Sequence, residues 1–65
     1  MKILVWEARR SRNVTLIELA AKCGISKSTI SNIENERTSP TLHQLEALAK
    51  ALETTISELY DSPYK

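Results

Sequence analysis

The chain is poor in the residues that break or staple a backbone: its 65 residues include one glycine, two prolines and one cysteine. With Cys23 alone no intrachain disulfide can form, and with His43 the sole histidine a four-ligand zinc site cannot be assembled. A reducing, cytoplasmic setting fits that usage. The apolar run from Ile3 to Trp6 is too short for a signal segment or a membrane span, so no membrane association is expected. No Ser/His/Asp arrangement, metal cluster or glycine-rich phosphate loop can be built from the residues present. Neither an enzyme, nor a cofactor, nor a small-molecule ligand is therefore expected. No alternating strand pattern, repeat or low-complexity stretch interrupts the chain. A chain this short makes one domain at most, here residues 1–65, and buries only about 60% of the surface its unfolded form exposes.

The net charge is only +1, but its sign is unevenly placed. Residues 1–40 carry seven Lys/Arg against four Glu, whereas residues 41–65 carry two Lys against four Asp/Glu. One end of the molecule can face phosphate while the other faces water.

What the chain does have is helix punctuation. Thr15-Leu16-Ile17-Glu18, Thr41-Leu42-His43-Gln44 and Thr55-Ile56-Ser57-Glu58 each match the capping box, where a hydroxyl and a Glu/Gln side chain satisfy each other's orphan amides. These starts predict an all-α fold, a compact bundle of about five short helices. The first runs from Lys2 to Arg12 with Leu4, Val5 and Ala8 inward, and ends at Asn13, which tolerates a left-handed backbone. The second covers Leu16 to Lys22, with Val14 stapled on Leu19. The third begins after Ser26 and runs to Asn35, with Ile25 stapled on Ile30. The fourth starts at Pro40-Thr41 and carries the apolar stripe Leu42, Leu45, Ala49 and Leu52. A last short helix holds Ile56 and Leu59.

The informative stretch is 16–35, where two short helices are joined by Cys23-Gly24-Ile25. Ala20 is small enough for two steeply crossing helices to approach, and Gly24 supplies the positive φ of a tight turn. Leu19, Ile25, Ile30 and Ile33 are spaced to bury the inner sides of both helices, the spacing expected of a helix-turn-helix. With Ile30 and Ile33 inward, Lys27, Ser28, Ser31, Asn32 and Asn35 form a continuous outward polar stripe without a carboxylate. Cys23 reads as a small buried hydrophobe and His43 as a solvent-facing residue.

Several segments together carry a family resemblance that covers about Val5 to Tyr60. They are Leu19-Ala20, Gly24-Ile25-Ser26, Ser28-Thr29-Ile30-Ser31, Ile33-Glu34-Asn35, Ser39-Pro40-Thr41, Leu48-Ala49-Lys50-Ala51-Leu52 and Ser57-Glu58-Leu59. On these residues the chain resembles the Cro and phage-repressor helix-turn-helix regulators, also called the XRE family. The resemblance implies sequence-specific binding of double-stranded DNA by a transcriptional regulator of the repressor kind, with the third helix in the major groove. Lys27, Ser28, Ser31 and Asn32 are then the base-contacting candidates, Asn32 through its amide to adenine and Lys27 to guanine or phosphate. Thr15, Asn35, Arg37, Thr38 and Ser39 are the phosphate candidates. The amides of Thr15 and Leu16 at the start of the second helix add to them. Arg10 and Arg12 read equally well as surface charge. The matching Arg and Glu of the family form an ion pair, which gives Arg9 and Glu34 a structural role beside Ala20, Gly24, Ile30 and Ile33.

Two kinds of departure from the family pattern carry weight. Leu16 stands where members often have a phosphate-clamping Gln, which puts that side-chain clamp in question and leaves the backbone amides. Glycine is common where this chain has Asn13, Glu36 and Glu53, and a left-handed backbone at such residues costs on the order of 1 kcal/mol. The resemblance also implies a homodimer on a two-fold symmetric operator, with Ile56, Tyr60 and Tyr64, or Trp6, as candidate contact residues. A protein-interaction or antitoxin-like adaptor that kept the fold with little DNA binding is the alternative, supported by the near-neutral charge and Leu16. An RNA-binding variant ranks third, since the polar face lacks stacking aromatics.

Overall fold

The computed structural model describes residues 1–65 and is mostly helical. In chain order the elements are strand β1 (Lys2–Ile3), helices α1 (Val5–Ser11), α2 (Leu16–Cys23), α3 (Lys27–Glu34) and α4 (Leu42–Leu52), a 3₁₀ helix (Ile56–Leu59) and strand β2 (Tyr60–Asp61). No helix is long and apolar enough to cross a membrane.

Local chemistry sets the helix starts. Thr15 and Thr41 each close a full capping box, with Glu18 and Gln44 as the reciprocal partners. Ser26 caps α3 by accepting the Thr29 amide at 3.2 Å. The third expected capping box does not form. Thr55 makes no side-chain cap bond, because the turn after it is 3₁₀ rather than α, and its hydroxyl pairs with Ser57 at 3.1 Å instead.

The expected start of the first helix at Lys2 is also corrected. Lys2 and Ile3 pair antiparallel with Asp61 and Tyr60, and the Leu4 amide donates to the Leu59 carbonyl at 2.8 Å. The backbone of residues 2–4 is thus spent on the far end of the chain, and α1 begins only at Val5. An all-helical expectation gains a two-stranded sheet that ties the two termini together.

Four turns use a left-handed residue: Asn13 (φ 54°), Gly24 (φ 75°), Glu36 (φ 57°) and Glu53 (φ 55°). The three non-glycine positions hold the left-handed backbone that glycine would adopt without strain. At Gly24 a Cβ would meet nothing within 4 Å, so only the backbone conformation calls for glycine there.

The core is Ile3, Val5, Leu19, Ile30, Ile33, Leu45, Leu48, Ala49, Leu52 and Leu59, with no buried polar residue among them. Each fully buried Leu, Ile or Val contributes about 1.5–3 kcal/mol relative to exposure. The helix α2 packs on both α3 and α4, and α1 lies across α3, α4 and the 3₁₀ helix. Val14, Leu16, Ala20, Cys23 and Ile25 pack half-buried on this cluster. Leu42 is corrected out of the expected α4 stripe: it is the first residue of that helix, overhangs the end of the core and is 77% exposed. Leu48 takes its place.

Candidate nucleic-acid interface

The helix-turn-helix is assembled from the inside outward. Ile30 and Ile33 are wholly buried, which fixes the roll of α3 about its axis. The opposite side of the helix is thereby left outside. Lys27 and Ser28 are exposed, and Ser31 and Asn32 are half-buried along the edge. An open hollow brings these four together with Leu16 from the start of α2 and Arg37 from the loop after α3. Two cations, two hydroxyls and one amide surround it, and no carboxylate lines it. Leu16 is the apolar member of the set, one that the polar-stripe reading left out. Only its i−11 neighbourhood across the turn, invisible to periodicity within one helix, places it there.

The α3 helix is locked to α1 by a two-pronged ion pair. Arg9 donates from Nε to Glu34 Oε2 at 2.9 Å and from Nη2 to Oε1 at 3.1 Å. Its Nη1 donates to the Val14 carbonyl at 3.2 Å, so one guanidinium also holds the turn leading into α2. The side chains are only 11% and 6% exposed, a setting in which bidentate geometry counts for more than at the surface.

The remaining candidates are dispersed. The Asn35 amide folds back to donate to the Ser31 carbonyl at 2.8 Å, where it serves the C-terminal end of α3. Thr38 and Ser39 are exposed but border a separate hollow with Met1, Ile3, Glu36 and Pro40. Arg37 alone of the loop reaches the α3 face. At α2 the Thr15 amide is already donated to Glu18 Oε1 at 2.9 Å. The amides of Leu16 and Ile17 make no backbone hydrogen bond. The capping-box motif itself carries this information: a box that closes leaves its N-cap amide occupied.

Thr15 holds the Glu18 carboxyl below its ordinary pKa, first through the backbone amide and then through the side chain, with nearby Lys22 adding to the effect. Arg10 stacks its guanidinium 5.1 Å above the Trp6 ring, and Arg12 donates to the Ala8 carbonyl at 2.9 Å. Both arginines therefore have partners within α1. No group of His, Cys, Asp and Glu residues is placed to hold a metal ion.

Two capped helices crossing at a glycine turn, with the second presenting a carboxylate-free polar face, define the helix-turn-helix class of domains. The chain belongs to the helix-turn-helix family, whose model matches residues 7–59. It is 39% identical over 51 residues to the immunity repressor protein of Bacillus phage phi105, covering 78% of this chain and 35% of that protein. To the HTH-type transcriptional regulator SinR of Bacillus subtilis (strain 168) it is 34% identical over 58 residues, 88% of this chain and 52% of the regulator. The chain thus spans about a third and about half the length of these two relatives. Among solved structures, the N-terminal DNA binding domain of SinR from Bacillus subtilis superposes with a TM-score of 0.80 at 29% identity. That match covers 94% of this chain and 90% of the other.

Proposed function

We propose that this chain is the DNA-binding domain of a transcriptional regulator of the repressor type, which lays α3 in the major groove of a specific duplex. The observation that carries the reading is the hollow in which Lys27, Ser28, Ser31, Asn32 and Arg37 meet without a single carboxylate. Asn32 has the bidentate donor and acceptor that match the adenine edge, and Lys27 supplies donors for guanine or phosphate. Ser28 and Ser31 serve at close approach. Arg37 flanks them as a phosphate contact, joined by the free Leu16 and Ile17 amides and the Thr15 hydroxyl. Thr38, Ser39 and Asn35 are outer phosphate contacts, reached by backbone that curves past the loop. The names of the relatives, a phage immunity repressor and a transcriptional regulator, support repression as the output.

One helix in one half-site gives little affinity, so the functional unit is a homodimer on a two-fold symmetric operator. Half-sites then lie roughly 34 Å apart on one face of the duplex. Tyr64, 96% exposed, and Trp6, 46% exposed, are available for that contact, beside half-buried Ile56 and Tyr60.

The test is selection of bound duplexes from a random pool, followed by titration of the winner at several salt concentrations. A preferred sequence should emerge, and log affinity should fall linearly as log salt rises, because phosphate contacts release counterions. No enrichment, with no binding to any duplex at low salt, overturns the proposal and leaves the adaptor alternative.

A further inference from the structure

We propose that Leu16 reads a thymine methyl, making it a specificity-determining residue of the interface. This rests on the DNA-binding reading above and adds to it a base preference. Leu16 is the one hydrophobic residue lining the hollow, whose other five members are all hydrogen-bonding groups. It packs half-buried on the core, so its side chain is held in place while one side stays open to the hollow. The other apolar residues at helix starts do not share this position. Ile17 is 68% exposed and Leu42 77% exposed, and neither lines the hollow.

The groups by which base pairs are told apart in the major groove are hydrogen-bond donors and acceptors, with one exception, the C5-methyl of thymine. The Leu16 amide can serve a phosphate, but its side chain cannot: against a phosphate it would strip water and return no hydrogen bond. Against a methyl, both partners lose apolar surface to water. The hollow also holds a single side-chain amide, Asn32, since that of Asn35 is turned back on Ser31. An A·T pair presents adenine N6 and N7 for such an amide on one base and the methyl on the other. Asn32 and Leu16 together therefore select an A·T pair, or two adjacent ones.

The experiment deletes the methyl without touching the protein. In the duplex recovered by selection, each thymine is replaced in turn by deoxyuridine, and affinity is measured for wild type and for Leu16→Ala. One thymine per half-site should cost the wild type about fourfold in affinity when its methyl is removed, the equivalent of one buried methylene. The same replacement should cost Leu16→Ala nothing. Circular dichroism checks that the variant folds; if it does not, Leu16→Gln, which keeps the stem on the core, takes its place. Uridine tolerated by the wild type at every position overturns the inference, as does a uridine penalty that survives in the variants. A pool yielding no preferred duplex, together with no binding to any duplex at low salt, overturns the DNA-binding reading itself, a result distinct from either.

Discussion

The Arg9 guanidinium grips Glu34 with two nitrogens and the Val14 carbonyl with the third, so a single side chain joins α1, the turn before α2 and the last residue of α3. Glu34 closes the helix that carries the polar face. The orientation of that face is therefore set from behind, by a residue that has no part in its surface.

Arg9→Ala should lower stability by about 3 kcal/mol, the scale seen when one partner of a buried pair is removed and the other is left unpaired. For a domain of this size that is a fall of at least about 12 °C in Tm. Replacing both partners, with Arg9→Met and Glu34→Leu, should recover part of the loss, because no unpaired charge remains. Thermal melts followed by circular dichroism make the comparison. A melting temperature equal to wild type for Arg9→Ala would refute the structural role.

Glu36 and Glu53 occupy the left-handed region at φ 57° and 55°, where an L side chain crowds its own carbonyl. Glycine removes the crowding but adds freedom to the unfolded chain, so each substitution should gain a net of about 0.5 kcal/mol. Glu53→Gly, far in sequence from the recognition helix, is the cleaner probe and should raise Tm by a few degrees. Asn13→Gly should gain less, since asparagine enters this region more readily. A lower Tm for Glu53→Gly would show that its side chain contributes something the backbone argument omits.

The lowered pKa of Glu18 gives the start of α2 a pH dependence of definite sign. A carboxyl whose pKa falls on folding stabilises fully above the ordinary glutamate range and loses that contribution as pH drops through the lowered folded value. Wild type should thus lose ground to Glu18→Gln as pH is brought from about 5 to 3, while the difference between them stays constant above that window. Urea unfolding at successive pH values measures it. An unchanging difference over the whole range would mean that the carboxylate does not feel the Thr15 bonds in solution.

Asn32 and Arg37 share the hollow but should differ in kind. Asn32→Ala is expected to lose about 1 to 3 kcal/mol on the preferred operator and to relax the preference at one position, whereas Arg37→Ala should weaken binding to all sequences alike and flatten the salt slope. Binding of each variant to the selected duplex and to a scrambled one separates the two. Equal, sequence-independent losses from both would remove Asn32 from direct readout.

Features decided within a few residues were legible in the sequence. The Thr15 and Thr41 boxes, the Gly24 turn and the inward Ile30 and Ile33 all follow from i,i+3 and i,i+4 relations, and the structure has each of them. Features decided by distant parts of the chain were not. Two-residue strands show no alternation, so nothing local announces that Lys2 will pair with Asp61. Thr55-Glu58 has the letters of a capping box, but the turn after it takes the tighter 3₁₀ path, and those four letters do not decide between the two. The candidate site was legible in the same partial way. The stripe on α3 is a single-helix pattern, whereas Leu16 enters the hollow by the crossing of two helices, and Asn35 leaves it by a bond to its own last turn.

The pairing of β1 with β2 brings the two chain ends to one corner of a body only 31 × 22 × 19 Å across. The polypeptide is, in effect, a nearly closed ring. Any module appended to either terminus departs from that same corner, so swapping a fusion from the front to the back of the domain would change its tether direction far more than its location. Joining the existing ends and reopening the ring at a surface turn should accordingly leave the helices where they are.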